Sequence, residues 1–270
     1  MNGKTKEKYV HEVFDTIAGN YDMMNTLMTW GMLGFWQRLV MKETRLRPGG
    51  KSLDVCCGTG EMTYEAAEKV GSFGQAVGLD FSPNMLDAAR AKKKKNPHLN
   101  VQFVEGDALA LPFADASFDA ATSGFALRNV SDIPKAIQEM ARVVGEGGRV
   151  VCIDVSRPAF PPARAFFNLY YFHAVPWLGK VLVSGQTISN GFPAYTWLAE
   201  SLKTFPPRRE IAQMFRDAGL SEVRVHPVSF GAATVYSGTK STVRDEKPSA
   251  LKSGMKLVLC ARKALNRLFQ

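Results

Sequence analysis

Five short apolar runs alternate with stretches of helical periodicity through the middle of the chain, and this alternation restricts the fold more than any other feature. The apolar runs lie at 52–56, 76–80, 101–104, 118–122 and 149–155, and the helical stretches at about 61–70, 83–95 and 132–144. Strands that alternate with helices of about ten to fifteen residues favour a parallel sheet with helices on both faces. Two more strands are predicted near 221–227 and 232–237, so we expect an α/β fold with a seven-stranded, mostly parallel sheet.

Three segments fall outside this alternation. Residues 1–47 contain two helical stretches ahead of the first strand, and we expect them to form a helical lid over the sheet. The body spans 48–240, and within it residues 156–205 are rich in aromatic residues and proline, which indicates a helical insert that forms part of a substrate pocket. The last segment, 241–270, is a basic tail that is either an amphipathic helix or disordered.

Composition excludes several classes of protein. With 46% hydrophobic and 22% charged residues among 270, the chain matches a globular domain with a sizeable core. No apolar run is long enough to cross a bilayer, and the polar start lacks the apolar segment of a signal peptide, so we expect a cytoplasmic protein. The four cysteines lack metal-ligand spacing, and we predict no metal ion.

The net charge of +9 is concentrated near the end of the chain. From Lys240 onward there are eight lysines and arginines and two carboxylates, which leaves the body close to neutral. A nucleic-acid enzyme would spread its positive charge over a groove on the body, so nucleic acid is not an expected partner.

The stretch LDVCCGTG, residues 53–60, predicts a ligand-binding turn. Gly58 and Gly60 follow the first strand, where an open parallel sheet places its ligand crevice, and glycine lets the backbone approach a ligand closely. A dinucleotide site would carry a third glycine where this chain has Thr63. The pattern instead begins with an acid, Asp54, and continues as D-x-x-x-G-x-G.

Two acids and a glycine mark the ends of the next three strands. Asp80 closes the second strand, where a carboxylate can accept both ribose hydroxyls of an adenosine. Asp107 follows the third strand, placed to meet an adenine amino group, and Gly124 lies where the fourth strand leads into a polar corner. This ordered set resembles the Rossmann-like fold of methyltransferases that use S-adenosyl-L-methionine as methyl donor. A nicotinamide-dependent dehydrogenase and a methyltransferase-like domain without activity are the alternatives.

Four further stretches resemble the demethylmenaquinone and ubiquinone-pathway C-methyltransferases, namely VFDTIAGNYDMMN, FALRNVSDIPKAIQEMARVV, VSRP and YTWLAESLKTFP. The resemblance covers about residues 9–240. It implies methylation of a ring carbon of a reduced, polyprenylated quinone, from demethylmenaquinol to menaquinol, in respiratory quinone biosynthesis. It also implies that Thr59, Asp80, Asp107 and Ala108 contact the cofactor.

The chain departs from the family pattern at two positions near the predicted site. Cys56 stands where the generic motif often has its first glycine, and Gly124 replaces a serine that several relatives carry. Neither change removes a predicted cofactor contact. Together they leave the choice between a naphthoquinol and a benzoquinol substrate open.

Methylation of a ring carbon needs an electron-rich nucleophile, which forms when a neighbouring ring hydroxyl loses its proton. Arg128 and Asn129 follow the fourth strand, and we expect Arg128 to stabilise the phenolate and Asn129 to position a ring oxygen. A surface arginine paired with Asp132 is the alternative. His173 matches a histidine of the family and is a candidate base, against a role in the core or in a cap. Tyr21 either closes over the site or belongs to a structural helix interface.

Two segments carry expectations about the lipid character of the substrate. Aromatic residues of the insert either line an apolar pocket for a polyprenyl chain or form the core of a lid; they are Phe166, Phe167, Tyr170, Tyr171, Phe172 and Trp177. On a helical wheel the tail places its cations opposite apolar side chains, which suits an anionic membrane surface. A solvated tail and a helix docked on a partner are the alternatives. We expect peripheral contact with the cytoplasmic membrane, and a homodimer is a further expected partner.

Two other functions stay open at this point. The chain could methylate another small aromatic or lipid, such as a benzoquinol, a phenol oxygen or a sterol. It could also be a non-catalytic protein that binds S-adenosylmethionine within a quinone-biosynthesis complex, although the intact Asp80, Asp107 and Arg128 argue against that reading.

Overall fold

A computed structural model of the chain describes residues 3–94, 96–182, 188 and 194–241, with side chains from residue 6 onward. The chain divides into two units, Met1–Lys240 and Ser241–Gln270. From residue 242 onward the second unit lies outside the described residues, and the predicted amphipathic tail lies there with it. Within the described part, no helix is both long and apolar enough to cross a membrane.

Seven strands form a single sheet. Their bounds are β1 Lys51–Val55, β2 Gln75–Asp80, β3 Val101–Glu105, β4 Phe118–Gly124, β5 Val144–Val155, β6 Leu220–Val228 and β7 Ala233–Lys240. In space their order is β3-β2-β1-β4-β5-β7-β6, and β7 runs antiparallel to both of its neighbours. The predicted Rossmann-like, mostly parallel sheet is therefore confirmed. The fifth strand starts earlier than predicted because Val144 already pairs with Phe118 of β4.

Helices cover both faces of this sheet. Their bounds are α1 Gly3–Ile17, α2 Tyr21–Met28, α3 Leu33–Thr44, α4 Glu61–Val70, α5 Pro83–Lys93, α6 Ile133–Val143, α7 Pro161–Leu169, α8 Val175–Leu182, α9 Thr196–Lys203 and α10 Arg208–Asp217. Buried side chains of α6 and α10 share one apolar cluster with the sheet, and those of α3 and α4 share another. Because neighbouring strand residues point to opposite faces, these two clusters form the two layers of the core.

The helix that follows β2 begins at a well-defined cap. Ser82 Oγ accepts a hydrogen bond from the Met85 amide at 3.2 Å, and Pro83 occupies the first turn. A hydroxyl acceptor and a proline at these positions satisfy and pre-form the helix start. The cap fixes the backbone immediately after Asp80, which is a predicted site residue.

The segment 1–47, predicted to form a helical lid, contains α1, α2 and α3. In α3, Trp36 and Val40 are buried in the cluster that lies against the sheet. The covering elements are α1 and α2, which line the cavity described below. The lid at 1–47 stays a prediction, and within that segment the apolar side of α3 completes the helical layer of the core.

The insert between β5 and β6 is helical, as predicted. It consists of α7, a short π-helical turn at Tyr170–Ala174, then α8 and α9. Tyr170 donates its hydroxyl to the Met28 carbonyl at 3.0 Å, and Tyr171 donates to the Leu198 carbonyl at 3.0 Å. These two bonds attach the π-helical turn to α2 on one side and to α9 on the other.

Candidate active site

The glycine turn after β1 adopts a backbone that side chains resist. Gly58 and Gly60 have φ angles of +55° and +82°, in the left-handed region that glycine tolerates best. A Cβ on Gly60 would also lie 2.8 Å from the Phe103 ring. Cys56, where the generic motif often has its first glycine, has a φ of +58° as well. Cys56 therefore adopts a left-handed conformation, which is strained in a residue with a Cβ.

Asp80 connects this turn to the start of α5. Its Oδ2 accepts the Gly58 amide at 2.8 Å, and its Oδ1 accepts the Ser82 amide at 3.0 Å. The side chain is buried, and burial raises the pKa of Asp80, while these amide hydrogen bonds act in the opposite direction. A carboxylate held in this way can accept hydroxyl groups from a ligand that lies across the end of β2.

Asp54 lies under the turn rather than at its surface. Its two oxygens accept hydroxyl hydrogen bonds from Thr63 at 2.8 Å and from Thr122 at 2.9 Å. Burial raises the pKa of Asp54 to about 7. The carboxyl contributes to the wall of a small side cavity together with Thr59, so its first contacts are with the threonines that support the turn.

A cavity of about 930 Å³ opens at the carboxyl ends of the strands, between the sheet and α1. It brings together seven of the predicted site residues, namely Tyr21, Gly58, Asp80, Asp107, Ala108, Gly124 and Asn129. Asp107 is exposed, and its Oδ1 accepts the Leu109 amide at 2.8 Å. A volume of this size lies within the usual range for small-molecule sites.

Gly124 leaves room for a methionine. A Cβ at this position would lie 2.9 Å from the Met62 sulfur, closer than real Cβ atoms come. The Met62 side chain of α4 thus occupies the space that a side chain at 124 would need, and its flexible end would have to shift to admit a serine.

Arg128 is buried, and the alternative that it lies on the surface and pairs with Asp132 is wrong. Its guanidinium forms an ion pair with Asp154 at the end of β5, and Asp154 Oδ2 also accepts the Arg128 amide at 3.2 Å. Asp132 instead caps α6 by accepting the Lys135 amide. Burial is the largest single effect and lowers the pKa of Arg128, but Asp154 together with Tyr171 and Tyr21 outweighs it, so the pKa is raised and the guanidinium keeps its proton.

Arg128 is not among the residues that line the cavity. Among the described residues, its Nε has no hydrogen-bond partner. The positive charge lies close enough to Tyr21 and Tyr171 to lower the pKa of both hydroxyls, against the larger effect of burial, which raises both. A fixed cation with one free N–H thus lies behind the wall that Tyr21 and Asn129 form.

Asn129 lines the cavity with its amide held by two neighbours. Trp197 Nε1 of α9 donates to Asn129 Oδ1 at 3.0 Å, and Asn129 Nδ2 donates to the Phe125 carbonyl at 3.2 Å. An indole N–H is only a donor, so it identifies the atom facing it as the amide oxygen. The second hydrogen on Nδ2 is the one that Asn129 can offer to a ligand.

Tyr21 and Asp22 bring α2 onto the glycine turn. Tyr21 contacts the turn closely enough that a Cβ on Gly58 would lie 3.6 Å from its ring. The Thr59 hydroxyl donates to Asp22 Oδ1, and Lys92 Nζ lies 2.6 Å from Asp22 Oδ2. Lys92, in the lysine-rich end of α5, thus forms an ion pair with this residue of α2.

His173 lies away from these groups. It is exposed in the π-helical turn and is not among the residues that line the cavity. The aromatic residues of the insert do not share one environment, since Phe167 is buried, whereas Phe166 and Trp177 are exposed. The structure therefore does not bring the candidate histidine to the site.

A different histidine lines the cavity, and sequence reasoning missed it. His11 of α1 lies 3.0 Å from Asp15 Oδ2, and its ring centroid is 5.1 Å from that of Phe81. Asp15 also accepts the Ser82 hydroxyl. The spacing of His11 and Asp15 by one helical turn is visible in the sequence, but the contact with the α5 cap is not.

Comparisons with known proteins agree with this fold. A crystal structure of an S-adenosylmethionine-dependent methyltransferase from Aquifex aeolicus matches with a TM-score of 0.54 and 20% identity over 76% of this chain and 89% of that one. A structure titled as a possible histamine N-methyltransferase from Thermotoga maritima matches with a TM-score of 0.58 and 19% identity over 86% of this chain and 100% of that one. At these identities the likeness concerns the fold alone.

Relatives of known sequence are much closer. The demethylmenaquinone methyltransferase of Bacillus cytotoxicus is 40% identical over 237 residues, and that of Alkalihalophilus pseudofirmus is 42% identical over 237 residues. Each alignment covers 88% of this chain and 98% of the relative. The model of the ubiE/COQ5 methyltransferase family matches residues 2–240. The sequence resemblance is thereby confirmed, and this chain belongs to the ubiE/COQ5 methyltransferase family.

Proposed function

We propose that this enzyme transfers the methyl group of S-adenosylmethionine to a ring carbon of demethylmenaquinol, forming menaquinol. The relatives that carry the name demethylmenaquinone methyltransferase support this choice of substrate class. The observation that carries the proposal is the Arg128–Asn129 pair. It places a fixed cation and a free amide N–H beside the cavity that contains Asp80.

The cavity fits the proposed cofactor. Gly58 and Gly60 have left-handed backbone angles and no side chain, so a ligand can approach the backbone of the turn closely. Asp80, at the end of β2, can accept hydrogen bonds from hydroxyls such as those of a ribose. Exposed Asp107 and buried Ala108 line the same cavity beyond Asp80. When bound, S-adenosylmethionine supplies an electrophilic methyl group on a sulfonium sulfur.

Near Asn129 the site offers hydrogen-bond donors. Asn129 Nδ2 has one hydrogen available, and burial raises the pKa of Tyr21, so its hydroxyl stays protonated. Arg128 adds a positive charge behind them. Donors fixed in a buried setting stabilise developing negative charge on oxygen. We infer that these residues bind the substrate as a ring oxyanion, whose negative charge makes the adjacent carbon nucleophilic.

The substrate proposal is tested with the full chain, S-adenosylmethionine labelled in its methyl group, and a short-prenyl demethylmenaquinol kept reduced. We expect label on a ring carbon of the naphthoquinol, located by mass spectrometry and NMR, and none on the oxidised quinone, because its ring lacks the electron density. A demethylated benzoquinol assayed in parallel decides between the two ring systems. Transfer to oxygen, or to the benzoquinol alone, would overturn the proposal.

We further propose that the basic tail contacts anionic membrane lipids. Its support is the sequence of residues 241–270, in which cations and apolar residues fall on opposite sides of a helical wheel. Sedimentation of the full chain and of a chain ending at Lys240 with phosphatidylglycerol vesicles tests this contact. Equal sedimentation of the two chains would reject a role for the tail. A homodimer and the lack of a nucleic-acid partner stay predictions.

A further inference from the structure

Large apolar side chains lie exposed on one side of the body, outside the cavity. We call them the interfacial surface, and they are Trp30, Met32, Phe160, Phe166, Leu169 and Phe230. They come from three segments: the α2–α3 loop, the stretch that leads into and forms α7, and the turn between β6 and β7. Soluble proteins rarely expose large apolar residues in a contiguous patch without a partner for it.

Contacts among the three segments make this surface continuous. The Trp30 ring lies 5.9 Å from that of Tyr170, which in turn stacks on Phe166 at 6.4 Å. On the other side, the Ser229 hydroxyl contacts the Met32 sulfur at 3.5 Å. The surface therefore extends without a break from α7 across Trp30 to the turn that carries Phe230.

Arg208 connects the β6–β7 turn to the segment that precedes α7. Its Nη2 donates to the Gly231 carbonyl at 2.7 Å and to the Arg157 carbonyl at 2.9 Å. These bonds join the β6–β7 turn to the segment that carries Phe160. The exposed Phe160 and Phe230 are thus carried by two backbone segments that Arg208 holds together by hydrogen bonds.

Two of the aromatic residues occupy strained backbone positions. Trp30 has a φ of +53° and is 71% exposed, and Phe230 has a φ of +56° and is 89% exposed. Left-handed φ angles are unfavourable for bulky side chains, and such strain persists where the surroundings enforce it. Among the described residues, Tyr170 contacts the Trp30 ring on one side, but most of both side chains stays exposed to solvent. The strain is consistent with a partner that receives the rings.

The segments that supply this surface carry only cations among their charged residues. Residues 23–41, 156–182 and 223–240 contain no aspartate or glutamate. The same segments contain exposed cations that include Arg157, Arg164 and Lys180. A surface that combines aromatic rings with cations and lacks carboxylates is complementary to anionic lipid headgroups above an apolar interior.

We propose that the interfacial surface docks on an anionic lipid bilayer, with Trp30 and Phe230 inserted at the level of the headgroups. A second copy of the chain is the less suitable occupant, because a symmetric interface would bring this surface against itself and oppose cations with cations. The inference rests on the exposed surface and is independent of methyl transfer. It also differs from the tail proposal, because all of its residues belong to the body.

Vesicle sedimentation of the chain ending at Lys240 tests the proposal without the tail. The variants are Trp30→Ser/Phe230→Ser, and Phe73→Ser as the matched control, since Phe73 is 96% exposed but lies between α4 and β2. With vesicles of phosphatidylglycerol and phosphatidylcholine, we expect the double variant to bind about tenfold more weakly and the control to bind as the parent does. Arg164→Gln should weaken binding to the anionic vesicles and leave binding to pure phosphatidylcholine unchanged.

Independent measurements separate docking from folding and from catalysis. Calorimetry with S-adenosylmethionine and the far-ultraviolet circular dichroism should be the same for the double variant and the parent. Equal vesicle binding by the double variant and the parent would overturn the proposal. Analytical ultracentrifugation that shows a dimer lost only in the double variant would also overturn it, in favour of a second copy as the occupant. Vesicle binding and ultracentrifugation do not depend on methyl transfer, so both would still test the docking proposal if the methylation assay failed.

Discussion

Trp197 Nε1 donates to Asn129 Oδ1 across 3.0 Å and thereby determines which end of the Asn129 amide faces the cavity. The tryptophan belongs to α9 of the insert, and the asparagine follows β4 of the sheet. The Tyr9 ring of α1 packs against the same indole at 5.0 Å. The orientation of a group in the sheet layer thus depends on the insert.

Replacing Trp197 with phenylalanine should reduce kcat about three- to tenfold, with little change in the dissociation constant of S-adenosylmethionine. The reason is that the ring stays while the indole N–H is lost, and one hydrogen bond contributes about 1 kcal/mol. Asn129 is then free to turn its oxygen toward the substrate oxyanion. Steady-state kinetics and calorimetry measure the two quantities.

A double-mutant cycle checks this role of Trp197. In an Asn129→Ala background, Trp197→Phe should have almost no further effect, because the amide that it orients is absent. Trp177→Phe, the same change at an exposed tryptophan of the insert, is the control and should leave kcat unchanged. Additive losses in the cycle would show that Trp197 acts only through the stability of α9.

Asp80→Asn should weaken S-adenosylmethionine binding about 100-fold. The change removes the negative charge and leaves a single acceptor oxygen, and hydrogen bonds to charged groups contribute about 1.5–3 kcal/mol each. Calorimetry gives the affinity directly. Asp87→Asn, at an exposed carboxylate of α5, is the matched control and should bind as the parent does. Unchanged affinity in the Asp80 variant would contradict the placement of the ligand at the end of β2.

Lys92→Gln should speed the release of S-adenosylmethionine about two- to fivefold. Lys92 pairs with Asp22 of α2, and a partly exposed ion pair contributes at most about 1 kcal/mol. Loss of the pair should open the lid more often, with little effect on the chemical step. Stopped-flow displacement measures the rate, and Lys94→Gln in the same lysine run is the control. An equal rate in the Lys92 variant and in the control would show that the pair does not hold the lid.

The stability of the ligand-free protein should decline as the pH rises from about 4 to about 7, and Asp54→Asn should reduce this decline. The pKa of Asp54 is about 7 in the fold, against 3.8 as its ordinary value, so the folded chain binds the proton more tightly than the unfolded chain. Protonation therefore stabilises the fold at low pH, and this contribution disappears as the pH passes the folded value.

Thermal unfolding between pH 4 and pH 8 measures the effect of Asp54. Each unit of pKa difference corresponds to about 1.4 kcal/mol, so the variant should have a visibly flatter pH profile. Asp132→Asn is the control, because asparagine also caps a helix well. The same slope in the Asp54 variant and in the parent would assign the decline to other carboxyl groups.

Local sequence patterns predicted those parts of the site that depend on strand ends. Gly58 and Gly60 follow β1 within a few residues, and Asp80 is the last residue of β2. Because these residues are so close to their strands in the chain, identifying the strand also locates the residue. Parallel strands bring such ends to one edge whatever lies between them. The same alternation predicted that β1 to β5 are strands of one parallel sheet, and their order in space is a finding of the structure.

Pairings between distant elements could not be predicted in this way. Arg128 and Asp154 lie on segments that meet only once β4 and β5 are adjacent, and the sequence offered the nearer Asp132 only as the alternative partner of a surface arginine. The available signal was an aspartate inside the apolar run VVCIDV, which has to find a cation when it is buried. His173 was chosen by resemblance, and resemblance carries no information about which face of the insert is exposed.

The contact between the Met62 sulfur and the space above Gly124 makes two distant positions of the chain depend on each other. Serine introduced at 124 alone would collide with the thioether, and a shorter residue at 62 alone would leave a void against the glycine. A side chain at 124 is thus accommodated only when the flexible thioether of Met62 moves, so the residue at one position affects which substitutions the other tolerates.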